Sequence, residues 1–238
     1  MAEIIPAILE ADFDSVANRL DQIVGSAKTV QIDICDGTFV PTVTWPFLSS
    51  VVVGKSLNIE NGLKAMIADE MEMPHWEQFD FELHLMVADA KRLIPDLMAI
   101  GPARVVFQVE AFIDYYTEIE ECCKLMPTIV EPVIAINPDT NPEIIFELLD
   151  EGLVTSVQCM GIAKIGVQGQ PFDDRVIKNI EILRARYPNI PIAVDGAVNL
   201  ENAQALITAG ATRLVVGSAI FSAENIPETI ARFKSVLK

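Results

Sequence analysis

Short apolar segments recur along the chain, and most of them are followed by a stretch whose apolar residues have helical spacing. Several of the short segments are almost continuously apolar, which is typical of strands buried on both faces of a parallel sheet. Strands are predicted at residues 4–9, 29–35, 81–87, 104–110, 130–137, 156–160, 190–195 and 213–217.

Amphipathic helical patterns fill most of the intervals between these strands. They predict helices at residues 13–24, 88–100, 113–125, 142–151, 173–187, 200–209 and 226–237. Glycines stand at the ends of four helices, as is common at helix C-termini, and these are Gly25, Gly101, Gly152 and Gly210. The alternation repeats roughly every 25 residues, the length of one βα unit. Eight such units predict an α/β protein, a single (β/α)8 TIM barrel over residues 1–238.

The interval between the second and third predicted strands is about twice the usual length, which predicts an insertion near residues 48–80. It is rich in large apolar side chains, among them Met66, Met71, Met73, Trp76 and Phe79. Such a segment has enough apolar surface to pack against something. Three roles are open for it: a contact with a partner, a lid over a site, or decoration of the barrel.

Composition excludes several classes of function. The formal net charge is −17, which disfavours nucleic acid and anionic lipid as partners but leaves a small phosphorylated molecule possible. No apolar run reaches the roughly 18 residues needed to span a bilayer. No secretory signal pattern is visible at the start, so a cytoplasmic location is expected. The four cysteines form no C-x-x-C pair, which fits reduced thiols.

The second predicted strand carries polar residues where a buried strand is normally apolar. Strand alternation places Gln31, Asp33 and Cys35 on one face, and Asp36 and Gly37 follow directly. Carboxylates at the carboxyl end of such a strand indicate a functional site. A purely structural reading is also open, in which Asp36 and Gly37 make a turn and Asp33 is a core acid with satisfied hydrogen bonds.

Eight short motifs in order give the chain a resemblance to a known family. They are residues 5–13 (IPAILEADF), 32–41 (IDICDGTFVP), 82–87 (ELHLMV), 109–111 (VEA), 135–140 (AINPDT), 166–172 (GVQGQPF), 194–198 (VDGAV) and 217–221 (GSAIF). In this order they resemble the ribulose-phosphate 3-epimerase family, whose members are ribulose-phosphate-binding (β/α)8 barrels. The resemblance covers nearly the whole chain except the insertion.

The resemblance implies an isomerase that interconverts D-ribulose 5-phosphate and D-xylulose 5-phosphate. It assigns proton transfer at carbon 3 to Asp33 and Asp195. The two residues lie towards the carboxyl ends of the second and seventh strands, far apart around the barrel, so their carboxylates can approach a substrate from opposite faces. The phosphosugar is then the expected partner, and the resemblance also implies a homo-oligomer.

A divalent metal is the cofactor that the resemblance implies, as Zn, Mn, Mg or Fe. Asp33, His84 and Asp195 match three of the family's ligand positions, whereas Gln31 stands where the family has a histidine. An amide oxygen is a harder and neutral ligand, so zinc affinity should fall and preference should shift towards weakly held Mg or Mn, or towards no metal.

Substrate binding is expected at further motif positions. The resemblance and the glycine content assign it to Met86, Gly166, Gly169, Gly196, Ala197, Gly217 and Ser218. Other positions depart from the family pattern: Ala7, Cys35, Gln108 and residues 164–168 of the sixth loop. These departures keep two alternatives open, a non-catalytic phosphosugar-binding paralogue and an epimerase for a different ketose phosphate. A related decarboxylase is disfavoured, because residues 33–36 lack the lysine of the D-x-K-x-x-D motif.

Overall fold

The computed structural model describes residues 2–48 and 59–236. Eight parallel strands close into a barrel in which each pairs with the next and the eighth pairs with the first. They are Glu3–Ile8 (β1), Thr29–Cys35 (β2), Asp80–Met86 (β3), Arg104–Gln108 (β4), Glu131–Ile136 (β5), Ser156–Met160 (β6), Ile192–Asp195 (β7) and Arg213–Val216 (β8). The TIM barrel is confirmed, and the predicted strand bounds differ from these by two residues at most.

Helices cover the outside of the barrel. They are Phe13–Ile23 (α1), Asn61–Ile67 (α2), Ala90–Leu97 (α3), Tyr115–Lys124 (α4), Phe146–Asp150 (α5), Arg175–Arg186 (α6), Ala203–Ala209 (α7), Ser218–Phe221 (α8) and Ile226–Val236 (α9). The short α8 was not predicted as a separate helix. The helix predicted at 200–209 begins three residues late, because the Asn199 side chain accepts hydrogen bonds from the backbone of Glu201 and Asn202. Asparagine competes in this way with the helical bonding pattern.

The barrel wall has two apolar layers, as strand alternation requires. In β2, Ile32 and Ile34 belong to the large cluster that packs strands against helices, together with Val16 and Leu20 of α1. The inward residue Cys35 belongs to a smaller cluster in the barrel interior. Gln31 and Asp33 alternate with the two isoleucines and are buried polar residues, so the predicted division of β2, with Ile32 and Ile34 outside and Gln31, Asp33 and Cys35 inside, is confirmed.

Strand register positions the candidate site. β2 and β3 pair so that Asp33 lies opposite His84 and Cys35 lies opposite Met86. Because side chains alternate along both strands, each of these inward residues stands beside an inward residue of the neighbouring strand. A carboxylate and an imidazole are thus brought to the same level of the barrel interior.

The described part of the predicted insertion packs against the barrel. Met66, Met73 and Phe79 are buried in the main core, whereas Trp76 remains 51% exposed. Residues 49–58 lie outside the described part of the chain. Among the helices that the structure describes, none is both long and apolar enough to cross a membrane.

Candidate active site

Two carboxylates meet at the carboxyl end of the barrel. Asp33 lies on the inner face of β2, two residues before its end, and Asp195 is the last residue of β7. Both side chains are 12% exposed, and both line the same cleft. By contrast, Asp36 accepts hydrogen bonds from the backbone of Thr38 and Phe39, so it makes the turn that the structural reading foresaw.

His84 lies beside the two carboxylates and has no exposed surface. Its Nδ1 is 3.5 Å from Asp33 Oδ1 and 3.5 Å from Asp195 Oδ2. Burial opposes a charge on the imidazole, but the contacts with Asp195 and Asp33 outweigh it and raise the pKa of His84 to about 10. Burial raises the pKa of the Asp33 carboxyl, while the hydrogen bond with His84 opposes that rise.

Gln31 joins the two carboxylates from below. Its Nε2 donates to Asp33 Oδ1 at 2.8 Å and to Asp195 Oδ2 at 2.8 Å. The residue has no exposed surface. Its Oε1 is buried and has no hydrogen-bond partner among the described residues. A primary amide has two N–H hydrogens, so one nitrogen can serve both acceptors.

Two further glutamines complete the surroundings of His84. Gln158 donates through Nε2 to Asp195 Oδ2 at 3.1 Å, and the same nitrogen is 3.3 Å from His84 Nδ1. Gln108 places Oε1 3.1 Å from His84 Nε2. The sequence marked Gln108 only as a departure from the family pattern and missed Gln158. The signal for Gln158 was present, because Ser156, Gln158 and Met160 are alternate residues of a buried strand.

Three of the predicted ligands have the geometry of a metal site. One donor atom each from Asp33, His84 and Asp195 lies within 4.8 Å of the others, and one nitrogen with two carboxylate oxygens suits a divalent cation. These three residues therefore fit the implied metal. Gln31 does not act as a fourth ligand in this orientation, because it presents an amide nitrogen to the site, and that nitrogen is a donor of hydrogen bonds only.

All the predicted substrate-binding residues line the cleft above the carboxylates. They are Met86, Gly166, Gly169, Gly196, Ala197, Gly217 and Ser218. No lysine or arginine is among the described residues of this lining, so an anionic group there must be held by backbone N–H groups or polar side chains. Gly196 is required by shape, because its φ is +104° and a Cβ would lie 2.7 Å from Ile162.

The sixth loop covers one side of this cleft and contacts the loop after β2. The Thr42 hydroxyl donates to the Gly166 carbonyl. A Cβ on Gly166, whose φ is +73°, would lie 2.7 Å from the Val40 side chain. Glycine allows the two loops to approach this closely. The departures from the family pattern in this loop therefore do not prevent contact between the sixth loop and the loop after β2.

Comparison with known proteins supports the resemblance seen in the motifs. The model of the ribulose-phosphate 3 epimerase family matches residues 3–221. The ribulose-phosphate 3-epimerase of Candida glabrata is 28% identical over 99% of this chain and 92% of its own length. That of Schizosaccharomyces pombe is 29% identical over 100% of this chain and 95% of its own length.

Solved structures support the fold alone. The 3-hexulose-6-phosphate synthase from Salmonella typhimurium superposes with a TM-score of 0.69 and 16% identity, covering 99% of this chain and 98% of its own. The family model spans nearly the whole chain, and full-length relatives share its name. The chain therefore belongs to the ribulose-phosphate 3-epimerase family.

Proposed function

We propose that this protein interconverts D-ribulose 5-phosphate and D-xylulose 5-phosphate by moving a proton at carbon 3. The observation that carries the proposal is the arrangement of Asp33 and Asp195, which reach one cleft from β2 and β7. These strands are separated in the barrel by β8 and β1. Two acid/base groups placed apart around one substrate are what inversion at a carbon beside a carbonyl requires.

Each carboxylate has one anchored oxygen and one oxygen left for chemistry. Asp33 Oδ1 and Asp195 Oδ2 are held from below by Gln31. Among the described residues, none donates a hydrogen bond to Asp33 Oδ2 or Asp195 Oδ1. We assign proton transfer to these two outer oxygens. One carboxylate removes the carbon 3 proton, and the other, protonated, delivers a proton to the opposite face.

The enediolate formed between the two transfers needs compensation for its negative charge. Asp33, His84 and Asp195 would hold a divalent metal, which would supply the compensating positive charge. Burial raises the pKa of Asp33, which favours the protonated form that an acid must have. Metal identity, homo-oligomer formation and a cytoplasmic location stay predictions.

Phosphate binding is proposed for the part of the cleft formed by the loops after β7 and β8. Residues 196–197 follow β7, and residues 217–218 follow β8. In TIM barrels, the loops after the last two strands commonly form a phosphate site from backbone N–H groups. A phosphate held there would place the sugar carbons of the substrate between the two carboxylates.

The test is deuterium incorporation at carbon 3 of ribulose 5-phosphate in heavy water, measured with and without added Zn, Mn or Mg. Asp33→Asn and Asp195→Asn should each lower the exchange rate by about 10²-fold or more, as for loss of a general acid or base. Asp36→Asn is the matched control, because Asp36 serves a turn. Its exchange should stay within about tenfold of the unaltered protein, below the 10²–10⁴-fold typical of a general acid or base.

The alternatives predict different results. A non-catalytic paralogue would bind the phosphosugar without exchange under any metal. An epimerase with another substrate would exchange a different ketose phosphate and leave ribulose 5-phosphate unlabelled. Either result would overturn the proposal, as would full exchange in the Asp33→Asn or Asp195→Asn variant.

A further inference from the structure

The Gln31 amide spans a part of the barrel that the backbone does not bridge. β2 and β7 are not neighbours, since β8 and β1 lie between them. One side-chain nitrogen nevertheless bonds carboxylates from both strands at 2.8 Å each. The contact joins residues 164 positions apart in the chain. Gln31 is therefore a link across the barrel interior and serves both carboxylates at once.

The chemistry of the neighbours fixes which end of the amide faces upward. The two nearest groups, Asp33 Oδ1 and Asp195 Oδ2, are acceptors when ionised. Turning the amide over would place its own oxygen against both of them and lose both hydrogen bonds. The orientation seen leaves Oε1 buried without a partner among the described residues. This orientation forms two hydrogen bonds to carboxylates and leaves one amide oxygen unpaired. Hydrogen bonds to charged groups are stronger than those between neutral groups, so this orientation is favoured.

The amide holds the same atoms that a metal would need. Asp33 Oδ1 and Asp195 Oδ2 are also the oxygens that face His84 Nδ1. A cation bound by these three residues at the same two oxygens would draw on lone pairs of atoms that already accept the amide hydrogens. Each carboxylate oxygen has two lone pairs, so the cation and the amide would share these oxygens, and each would weaken the other's bonds to them.

We infer that Gln31 is a positioning residue that holds the inner oxygens of Asp33 and Asp195 together in place of a metal ion and competes with a metal for them. The inference rests on the proposed function only in its assumption that Asp33 and Asp195 are the catalytic pair. The competition itself concerns hydrogen bonding and metal binding at these carboxylates, whatever reaction they carry out. If Gln31 had only a structural role, its removal would lower both the stability of the protein and its affinity for metal. Competition predicts that removing Gln31 strengthens metal binding.

The test measures metal affinity by titration calorimetry on metal-stripped full-length protein, with Mn²⁺ and Zn²⁺ as the probes. Gln31→Leu should bind both ions at least tenfold more tightly than the unaltered protein, and Gln31→His more tightly still, since ligand-shell changes typically alter affinity about 10–100-fold. Gln158→Leu is the matched control. It removes the same kind of buried amide, but Gln158 bonds only one of the two carboxylates, so its affinity gain should be smaller.

Thermal unfolding supplies a second readout. Without metal, Gln31→Leu should melt below the unaltered protein, because two buried carboxylates lose their shared donor. Adding Mn²⁺ should raise the melting temperature of Gln31→Leu by more degrees than it raises that of the unaltered protein. If Gln31→Leu fails to fold without metal, Gln31→Glu is measured instead, and it should fold only when Mn²⁺ is present.

Equal metal affinity in the unaltered protein and Gln31→Leu would overturn the inference, as would weaker binding in Gln31→Leu or a Gln31→Glu variant that folds equally with and without Mn²⁺. These readouts contain no sugar phosphate. If the affinities follow the predicted order while carbon 3 exchange fails, the proposed epimerase activity is wrong and the role of Gln31 stands. If carbon 3 exchange occurs but the affinities do not follow the predicted order, the proposed activity stands and the competition between Gln31 and metal is wrong.

Discussion

Replacing Gln108 should disturb His84, because Gln108 faces the imidazole nitrogen that points away from the carboxylates. Gln108 lies on β4 without exposed surface. Its Nε2 donates to Glu110 and to Asn137 Oδ1 at 3.2 Å, so its Oε1 must face His84 Nε2 at 3.1 Å. That oxygen can only accept, so Nε2 of His84 carries a hydrogen and Nδ1 is the nitrogen facing the carboxylates. Gln108→Met keeps the length of the side chain and removes both polar ends.

The magnitude follows from the groups left without partners. His84 would keep a buried N–H with no acceptor, whereas Glu110 retains bonds from Asn137 N and Thr140. A buried donor without a partner costs about 1–3 kcal/mol. For a chain of this length, a loss of about 2 kcal/mol lowers the melting temperature by roughly 4–8 °C. Metal affinity should also fall about 10–100-fold, the usual effect of losing a residue that orients a ligand.

The assay combines calorimetric melting with ¹⁵N NMR of the histidine rings. The chain has only two histidines, and His75, which contacts Asp21 at 2.6 Å, is the internal reference. In Gln108→Met the ring signals of His84 should move while those of His75 stay in place. Ser156→Ala controls for the loss of a buried hydrogen bond elsewhere, since Ser156 bonds Glu131. A melting temperature within 1 °C of the unaltered protein, together with unmoved His84 signals, would refute the reasoning.

The remaining predictions concern the ion pair of Arg213 with Glu82, the contact between Gly166 and Val40, and the buried thiol of Cys159. Arg213→Met should lower the free energy of unfolding, measured in urea, by about 3 kcal/mol, because it removes one partner of the buried Glu82 carboxylate. Adding Glu82→Gln to this variant should restore part of the lost stability. A double variant no more stable than Arg213→Met would contradict the prediction. Gly166→Ala should raise KM by its clash with Val40, and Val40→Ala should relieve it; an unchanged KM in the single variant would argue against loop contact. Burial raises the pKa of Cys159 to about 12, so mass spectrometry at pH 8 should find it unlabelled by iodoacetamide until the chain unfolds. Stability should fall as pH rises above about 8.5, where the unfolded thiol ionises first, and rapid native labelling would contradict the burial.

The fold could be predicted because its signals are local. Apolar runs and helical spacing are properties of neighbouring residues, and they placed all eight strands of the barrel. Deviations occurred where side chains compete with the backbone. Asn199 delays the start of α7 by accepting backbone hydrogen bonds, and the interval 142–151 begins as a 3-10 turn at Pro142–Ile145 before α5. Such capping details change helix bounds without changing the order of elements.

The site was predictable in its members but only partly in its contacts. Alternation along β2 and the register with β3 place Gln31, Asp33 and His84 in the interior, and the family motifs added Asp195. The direction of the Gln31 amide was not predictable. It depends on the position of the Asp195 carboxylate, which comes from β7. The residues around position 31 in the sequence do not indicate that position. The alternation of β6 does indicate that Gln158 faces the interior, but its contacts with His84 and Asp195 could not be predicted from that pattern.

Neutral amides can satisfy hydrogen bonds in this interior but cannot compensate charge. Gln31, Gln108 and Gln158 supply donors and acceptors around His84 and the two carboxylates, yet they leave two adjacent buried acids whose negative charges repel. A nearby positive charge reduces this repulsion. The pKa of His84 reaches about 10 against the opposing effect of burial, so its proton supplies one positive charge. A divalent metal bound at Nδ1 would replace that proton with two charges, which gives the site a reason to bind metal even though Gln31 competes for the same oxygens.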